Sequence, residues 1–475
     1  MSVLVVGGGV AGLVAARALA IAGVPVTLVE AGPRLGGKAW TERVDGLVIE
    51  HGPDAFVATR PALLDLCRNL ELGDRLIAPK EPRGAAIRRG DRLVPIPDGV
   101  GMVLPTQAAP FVRTRLFSWP EKLRMARDLV APRLLPPHDV AVGAWLRARL
   151  GDAPVDRLAG PLVGGVYGTP IDELSLDAVV PQLRVAERDH RSLLLAGLAE
   201  GRARRRSVAS GAAAPFVSLR DGMGSLAEAL EASIAAAAAA SGTQVAVRTG
   251  TGAVALARGA TGVTASFVDG SVGRFDGAIL ATPAPDAARL LREAVPAVAT
   301  ALAGIPHGST TVVTLAYRRT AAARAPSGHG HLVPALEGGP ISACTWSSEK
   351  WPGRAPDDVI LARAFLRDLA ATRNLSDAQR IHLARGEVER TLGITEEPLL
   401  ARVAAWEASM PRYTVGHLDR VAGIDRALAE WPAITLAGAS YRGIGLPDCV
   451  ASGTAAAARI VERLGMRREA AAATA

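Results

Sequence analysis

The first thirty residues set short apolar runs around one longer helical pattern. Val3 to Val6 is an uninterrupted apolar run, Gly7 to Gly12 is a glycine turn, and Leu13 to Ala22 has helical periodicity. Pro25 to Val29 is a second run of buried-strand type and ends at Glu30. Together they predict a βαβ unit. Gln244 to Val247, Gly252 to Arg258, Val263 to Phe267, Ala278 to Ala281, Thr310 to Tyr317 and Ile434 to Ala437 also have strand patterns. Helices are predicted at Pro120 to Val130, Gly143 to Leu150, Leu226 to Ala240, Ser376 to Leu392 and from about Gly453 to Leu464, the last after a glycine-rich loop. Between about residues 81 and 105 the chain is rich in Pro, Gly and Arg, with a hairpin expected at Arg89-Gly90-Asp91. Glu200 to Ala213, with Arg202, Arg204, Arg205 and Arg206 among small residues, is read as an exposed loop.

Composition narrows the class. The 475 residues are 49% hydrophobic and 21% charged, which excludes a largely disordered chain. Lysines occur only at positions 38, 80, 122 and 350, so the net charge of +8 is almost entirely arginine. That bias reflects either genomic base composition or an arginine-lined site for acidic ligands or a membrane surface. No aromatics interleave the Arg202–Arg206 run, so no nucleic-acid partner is expected. Cys67, Cys344 and Cys449 are far apart, suit neither a disulfide framework nor a zinc site, and read as reduced thiols of a cytoplasmic protein. No metal is expected. The start MSVLVVGGGV lacks the basic region of a secretory leader. No transmembrane span is expected either, since the most apolar helical run, Ser233 to Ala240, is far shorter than the roughly 18 residues a span needs.

Gly7-x-Gly9-x-x-Gly12 follows a strand and opens a helix, the context that makes it a dinucleotide loop. Gly7 permits the turn, Gly9 lets a pyrophosphate approach the backbone, and Gly12 lets helix pack on strand. Glu30, 18 residues after Gly12, suits the adenosine ribose hydroxyls. Arg34-Leu35-Gly36-Gly37-Lys38 extends the nucleotide site in a form typical of flavin oxidases rather than nicotinamide dehydrogenases.

With these motifs the chain resembles the flavin amine-oxidase-like superfamily and, within it, the FAD-dependent porphyrinogen oxidases. Glu50-His51-Gly52-Pro53-Asp54-Ala55 is similar to that family's E-x-G-P-D segment, and His190-Arg191-Ser192-Leu193 to its HRS element. Ile341 to Trp346 with Lys350-Trp351-Pro352 resembles the bacterial coproporphyrinogen III oxidase branch. Ser409-Met410-Pro411 and Tyr413 to His417 follow its SMPQY-x-VGH pattern, and Leu436 to Gly453 its C-terminal flavin segment.

The resemblance implies an α/β (α+β) fold. A discontinuous Rossmann-type FAD domain (1–85, 210–282 and 430–465) would be joined by a sheet-containing substrate domain (86–110 and 283–429). Residues 111–209 would form a helical insertion that walls the substrate cavity and, in some relatives, faces a membrane; 466–475 would be a frayed tail. FAD would be held without a covalent bond, because Ser440-Tyr441 stands where amine oxidases that attach it have cysteine. Gly7, Gly9, Val10, Ala11 and Gly12 would meet its pyrophosphate, and Glu30 and Ala31 its adenosine. Gly37, Lys38, Gly52, Pro53, Asp54 and Ala55 would approach the flavin. Val254 would present its backbone to adenine, Trp406 would wall the ring, and Ile444, Gly445 and Leu446 would lie near the ribityl chain. Val254 also reads simply as a buried strand residue, and Trp406 as a core aromatic.

The activity so implied is oxidation of coproporphyrinogen III in haem biosynthesis, with protoporphyrinogen IX as the alternative substrate. Dioxygen would be the acceptor and the next enzyme of the pathway a hand-over partner. Peripheral contact with the inner face of the membrane is compatible with the basic insertion. Arg60, Arg83, Arg88 and Arg89 are candidates for the substrate carboxylates, since arginine binds them bidentately. No acid–base pair or nucleophile stands out, which suits a reaction whose acceptor is flavin N5. Another flavin oxidase would lack the HRS and SMP…VGH elements, and a non-enzymatic tetrapyrrole carrier would bind porphyrin without reducing flavin.

Overall fold

A computed structural model of the protein describes residues 1–82, 84–101, 104–208, 216–259 and 262–465. The N-terminal strand Val3–Val6 is central in a five-stranded parallel sheet. On one side of it lie Val26–Val29 and then Val245–Arg248; on the other lie Gly277–Leu280 and then Ile434–Leu436. Both faces are covered, which is why the inner strands carry no polar alternation. Helices Val10–Ile21, Gly224–Ser241 and Leu446–Arg463 pack on one face. They approach closely, since a β-carbon on Gly453 would lie 2.3 Å from the Ala11 carbonyl oxygen. The antiparallel strands Ala253–Arg258, Val263–Phe267 and Val272–Phe275, with helices Ala284–Leu291, Pro296–Ala303 and His417–Leu428, cover the other. Strand order reverses direction at Val3–Val6, so the crevice beyond its carboxyl end is where such a sheet binds its ligand.

A second, seven-stranded sheet runs Leu400–Pro411, His307–Arg318, Val359–Leu366, Ile341–Trp346, Gly330–Leu332, Ala86–Arg89, Arg92–Pro95. The last two strands form the hairpin expected at Gly90. Helix Asp377–Leu392, capped by Ser376, buries Ala384, Val388 and Leu392 against one face of this sheet. A helical region from Ala108–Arg113 to Leu193–Val208 has its own core of Leu116, Phe117, Met125, Trp145, Leu146, Leu158 and Leu183. Inside it Arg149 is fully buried, bonded to Asp128 (2.7 Å) and Glu187 (2.8 Å), while Ser192 of the HRS element donates to Asp128 (2.7 Å). That element is therefore a structural junction, and His190 is exposed.

Two local expectations are corrected. Residues 200–208 continue the helix Leu193–Val208 rather than forming a loop; 209–213 and the tail 466–475 lie outside the described residues. The glycines of this helix serve packing. A β-carbon on Gly197 or Gly201 would lie 2.6 or 2.0 Å from the carbonyl oxygens of Pro105 and Thr106. The last helix begins at Leu446, not near Gly453: Asp448 accepts from the Gly445 N–H (3.1 Å), and Pro447 sits in the first turn, where it is tolerated.

Candidate active site

The three glycines of the first loop are required for three different reasons. Gly7 has φ +103°, a region that favours glycine. A β-carbon on Gly12 would lie 1.9 Å from the Gly7 carbonyl oxygen, so Gly12 sets the helix–strand distance. A β-carbon on Gly9 would meet nothing within 4 Å. It would project into open space at the start of helix Val10–Ile21, a seat for an anion on free N–H groups. The Glu30 carboxylate accepts from Gly8 N–H (2.7 Å) and Gly32 N–H (2.8 Å), which fixes the acid at the end of its strand. Ala31 abuts Gly252, the neighbour of strand Ala253–Arg258. Val254 sits at a register shift between Ala253 and Ala255, with its side chain 46% exposed rather than buried.

From Gly9 a path of close backbone contacts leads to the second part of the site. A β-carbon on Gly37 would lie 3.1 Å from Gly9 Cα, and one on Gly52 would lie 2.0 Å from the Lys38 carbonyl oxygen. Lys38 donates to the Ser409 carbonyl; burial pushes its ammonium pKa down and nearby Cys449 opposes this. Trp406 donates from Nε1 to the His51 carbonyl (2.8 Å) and stands edge-on to Trp40, with the Arg34 guanidinium 4.3 Å above the Trp40 ring. Pro53 and Ala55 are half-buried, as are Ile444, Gly445 and Leu446 at the start of the last helix.

The Asp54 carboxylate is held by cations. It accepts from Lys350 Nζ and Trp351 Nε1, both at 2.9 Å, with Arg363 Nη1 at 3.7 Å. Burial alone would raise its pKa, but Lys350 and Arg363 hold it well below the usual carboxylate range. Lys350-Trp351 was legible as a motif without a role; Arg363 was missed. Its one signal was a lone cation inside the apolar strand VILARAFL.

The substrate arginines divide. Arg88 is buried, bonded to Glu387 (3.0 Å) under helix Asp377–Leu392. Strand register puts it on the sheet face opposite Arg363. Arg89 is exposed and donates to the Arg115 carbonyl (3.1 Å). Arg83 lies outside the described residues. Arg60 pairs with Asp448 at the start of the last helix and acts electrostatically on Tyr167 of the helical region.

The parallel sheet, the open seat above Gly9 and the acid at Glu30 fit a dinucleotide, and the Lys38–Gly52 contact continues the site past it. These features define an FAD-dependent oxidoreductase. The chain belongs to the flavin containing amine oxidoreductase family, which it matches over residues 10–461, and within it to the FAD-dependent porphyrinogen oxidases. It is 43% identical, over 97% of this chain and 90% of the relative, to a coproporphyrinogen III oxidase of Propionibacterium freudenreichii subsp. freudenreichii. A coproporphyrinogen III oxidase of Bacillus subtilis (strain 168) is 32% identical, over 96% of each chain. A crystal structure from Exiguobacterium sp. 255-15, provisionally named a protoporphyrinogen oxidase, superposes with a TM-score of 0.83 at 33% identity, covering 97% of this chain and 99% of that one. FAD is the cofactor.

Proposed function

We propose that this chain oxidises coproporphyrinogen III to coproporphyrin III in haem biosynthesis, with dioxygen as acceptor. The observation that carries the reading is the 43% identity, over 97% of the chain, to a relative of that name. Bound FAD supplies the hydride acceptor, N5. Three rounds each remove two electrons and two protons from the macrocycle, and three dioxygen molecules become three of hydrogen peroxide. The chain's part is to bind and orient: the Gly7–Gly12 loop and Glu30 hold the nucleotide, while Lys38, Gly52–Ala55 and Trp406 frame the reacting end. Pyrrole protons leave to solvent, so no side-chain base is assigned. Arg60, beside Tyr167 and Asp448, is the arginine we assign to a substrate carboxylate.

We place the protein in the cytoplasm with the helical insertion against the inner face of the membrane, where product passes to the next enzyme. Among the described residues no helix is long and apolar enough to cross a membrane. Exposed Val112 (48%), Trp119 (66%) and Leu123 (68%) beside exposed Arg113 and Arg115 support a surface contact instead.

The test is to mix the purified flavoprotein anaerobically with coproporphyrinogen III or protoporphyrinogen IX. Flavin bleaching with porphyrin fluorescence, faster for the four-propionate substrate, is expected. Faster reduction by protoporphyrinogen IX changes the substrate, and no bleaching by either overturns the reading.

A further inference from the structure

The segment Glu50–Ala55 is gripped by cations of the seven-stranded-sheet region. Arg354 lies 3.3 Å from the Glu50 carboxylate and donates to Ser218 Oγ (2.7 Å), and Ser218 in turn donates to the Asp54 carbonyl (2.6 Å). Lys350 and Arg363 face Asp54, and Arg363 Nη2 donates to the Gly52 carbonyl. The side chains of Glu50, Arg354 and Arg363 are 2%, 1% and 2% exposed; those of Asp54 and Lys350 are 16% and 21%. Three cations thus meet two carboxylates, and burial pushes Glu50 up toward its neutral form, which enlarges the positive surplus. Asp221 also acts on Arg354 but is itself paired with Arg75 (3.5 Å), and Arg402 pairs with Glu42; both adjoining pairs are neutral and leave that surplus unchanged.

A clamp that served packing alone would be balanced, because an uncompensated buried charge is costly. The surplus sits behind the backbone that leads from the phosphate seat to the flavin side. Reduction of the flavin takes up two electrons and one proton, so the ring gains a net negative charge, which a nearby cation stabilises. We infer that Arg363 is a positioning residue that sets the reduction potential: its guanidinium fixes the Gly52 carbonyl and its charge favours reduced flavin. Arg363 acts through Gly52. The inference rests on the flavin reading of the site.

The experiment compares wild type, Arg363→Met, Arg363→Lys and Lys350→Met as FAD-loaded proteins, each equilibrated with a redox dye of known potential. Arg363→Met is expected to shift the oxidised-to-reduced equilibrium by about tenfold toward oxidised flavin, about 30 mV for a two-electron couple. Arg363→Lys keeps the charge and is expected to recover most of the shift. A shift below about threefold in flavin-loaded Arg363→Met overturns the inference. If that variant does not fold, Lys350→Met removes a charge from the same cluster at its more exposed edge; a potential equal to wild type there overturns it equally. A wild type that holds no FAD sinks the reading of the site instead.

Discussion

Gly52 and Lys38 touch backbone to backbone, since a β-carbon on Gly52 would lie 2.0 Å from the Lys38 carbonyl oxygen. Neither side yields freely: Lys38 follows Gly37, which is packed on Gly9, and the Gly52 carbonyl is held by Arg363. Gly52→Ala should cost about 1–3 kcal/mol as overpacking and push residues 52–55 out of place. Purified Gly52→Ala should have a lower melting temperature and a much reduced flavin-to-protein absorbance ratio. Wild-type flavin content at an unchanged melting temperature would show that the contact relaxes without consequence.

Gly9 makes the opposite case. A β-carbon there would have no atom within 4 Å, and φ is −70°, so an alanine is neither strained nor crowded in the protein itself. On the proposed reading it would stand where the pyrophosphate sits. Gly9→Ala should leave the apo-protein within about 0.5 kcal/mol of wild type and weaken FAD by at least about tenfold. Gly12→Ala, at 1.9 Å from the Gly7 carbonyl oxygen, should destabilise the apo-protein itself. Calorimetric FAD titration with parallel denaturant melts separates the two. Equal destabilisation by both would make Gly9 a packing residue.

His417 builds a pH dependence into the fold. It stacks on Tyr413 with centroids 3.8 Å apart, and Nε2 bonds the Tyr441 carbonyl (2.8 Å), so Nε2 carries the proton. Burial pushes its pKa down to about 4, against the pull of that carbonyl. An unfolded histidine takes up its proton near 6.5, so between those values the unfolded state binds more protons. Stability therefore falls as pH drops from about 6.5 toward 4, by up to about 3 kcal/mol for the full shift. His417→Phe should flatten that part of the stability profile. A wild-type profile already flat from pH 7 to 5 would contradict the burial argument.

What was legible follows from what is local. Val3–Val6 and Val26–Val29 declared themselves because a strand covered on both faces is mostly apolar, and Gly9 because its neighbours in sequence form its context. Residues 200–208 were misread as a loop because Gly201 is explained only by Thr106, remote in the chain. Arg363 was missed because its carbonyl partner, Gly52, lies 311 positions away. The surroundings of Arg88 were hidden for a related reason. Strand alternation assigns it to a face, but only the order of seven strands decides which face that is and what covers it.

That face decides the last prediction. Arg88 is largely buried between the sheet and helix Asp377–Leu392, with Glu387 as its partner and His331 on the other carboxylate oxygen at 2.7 Å. Arg60 is 59% exposed, paired with Asp448 and close enough to act on Tyr167, so it can exchange one carboxylate for another. Replacing Arg60 by Gln should raise KM for coproporphyrinogen III about tenfold, the loss of one charge-assisted pair, with kcat little changed. Arg88→Gln should cost stability, about 3 kcal/mol for breaking a buried pair, and leave KM within about twofold of wild type. Steady-state kinetics on both variants, with melting curves, distinguish the two roles. A raised KM in Arg88→Gln with Arg60→Gln unaffected would reverse the assignment and put the substrate on the helix-covered face.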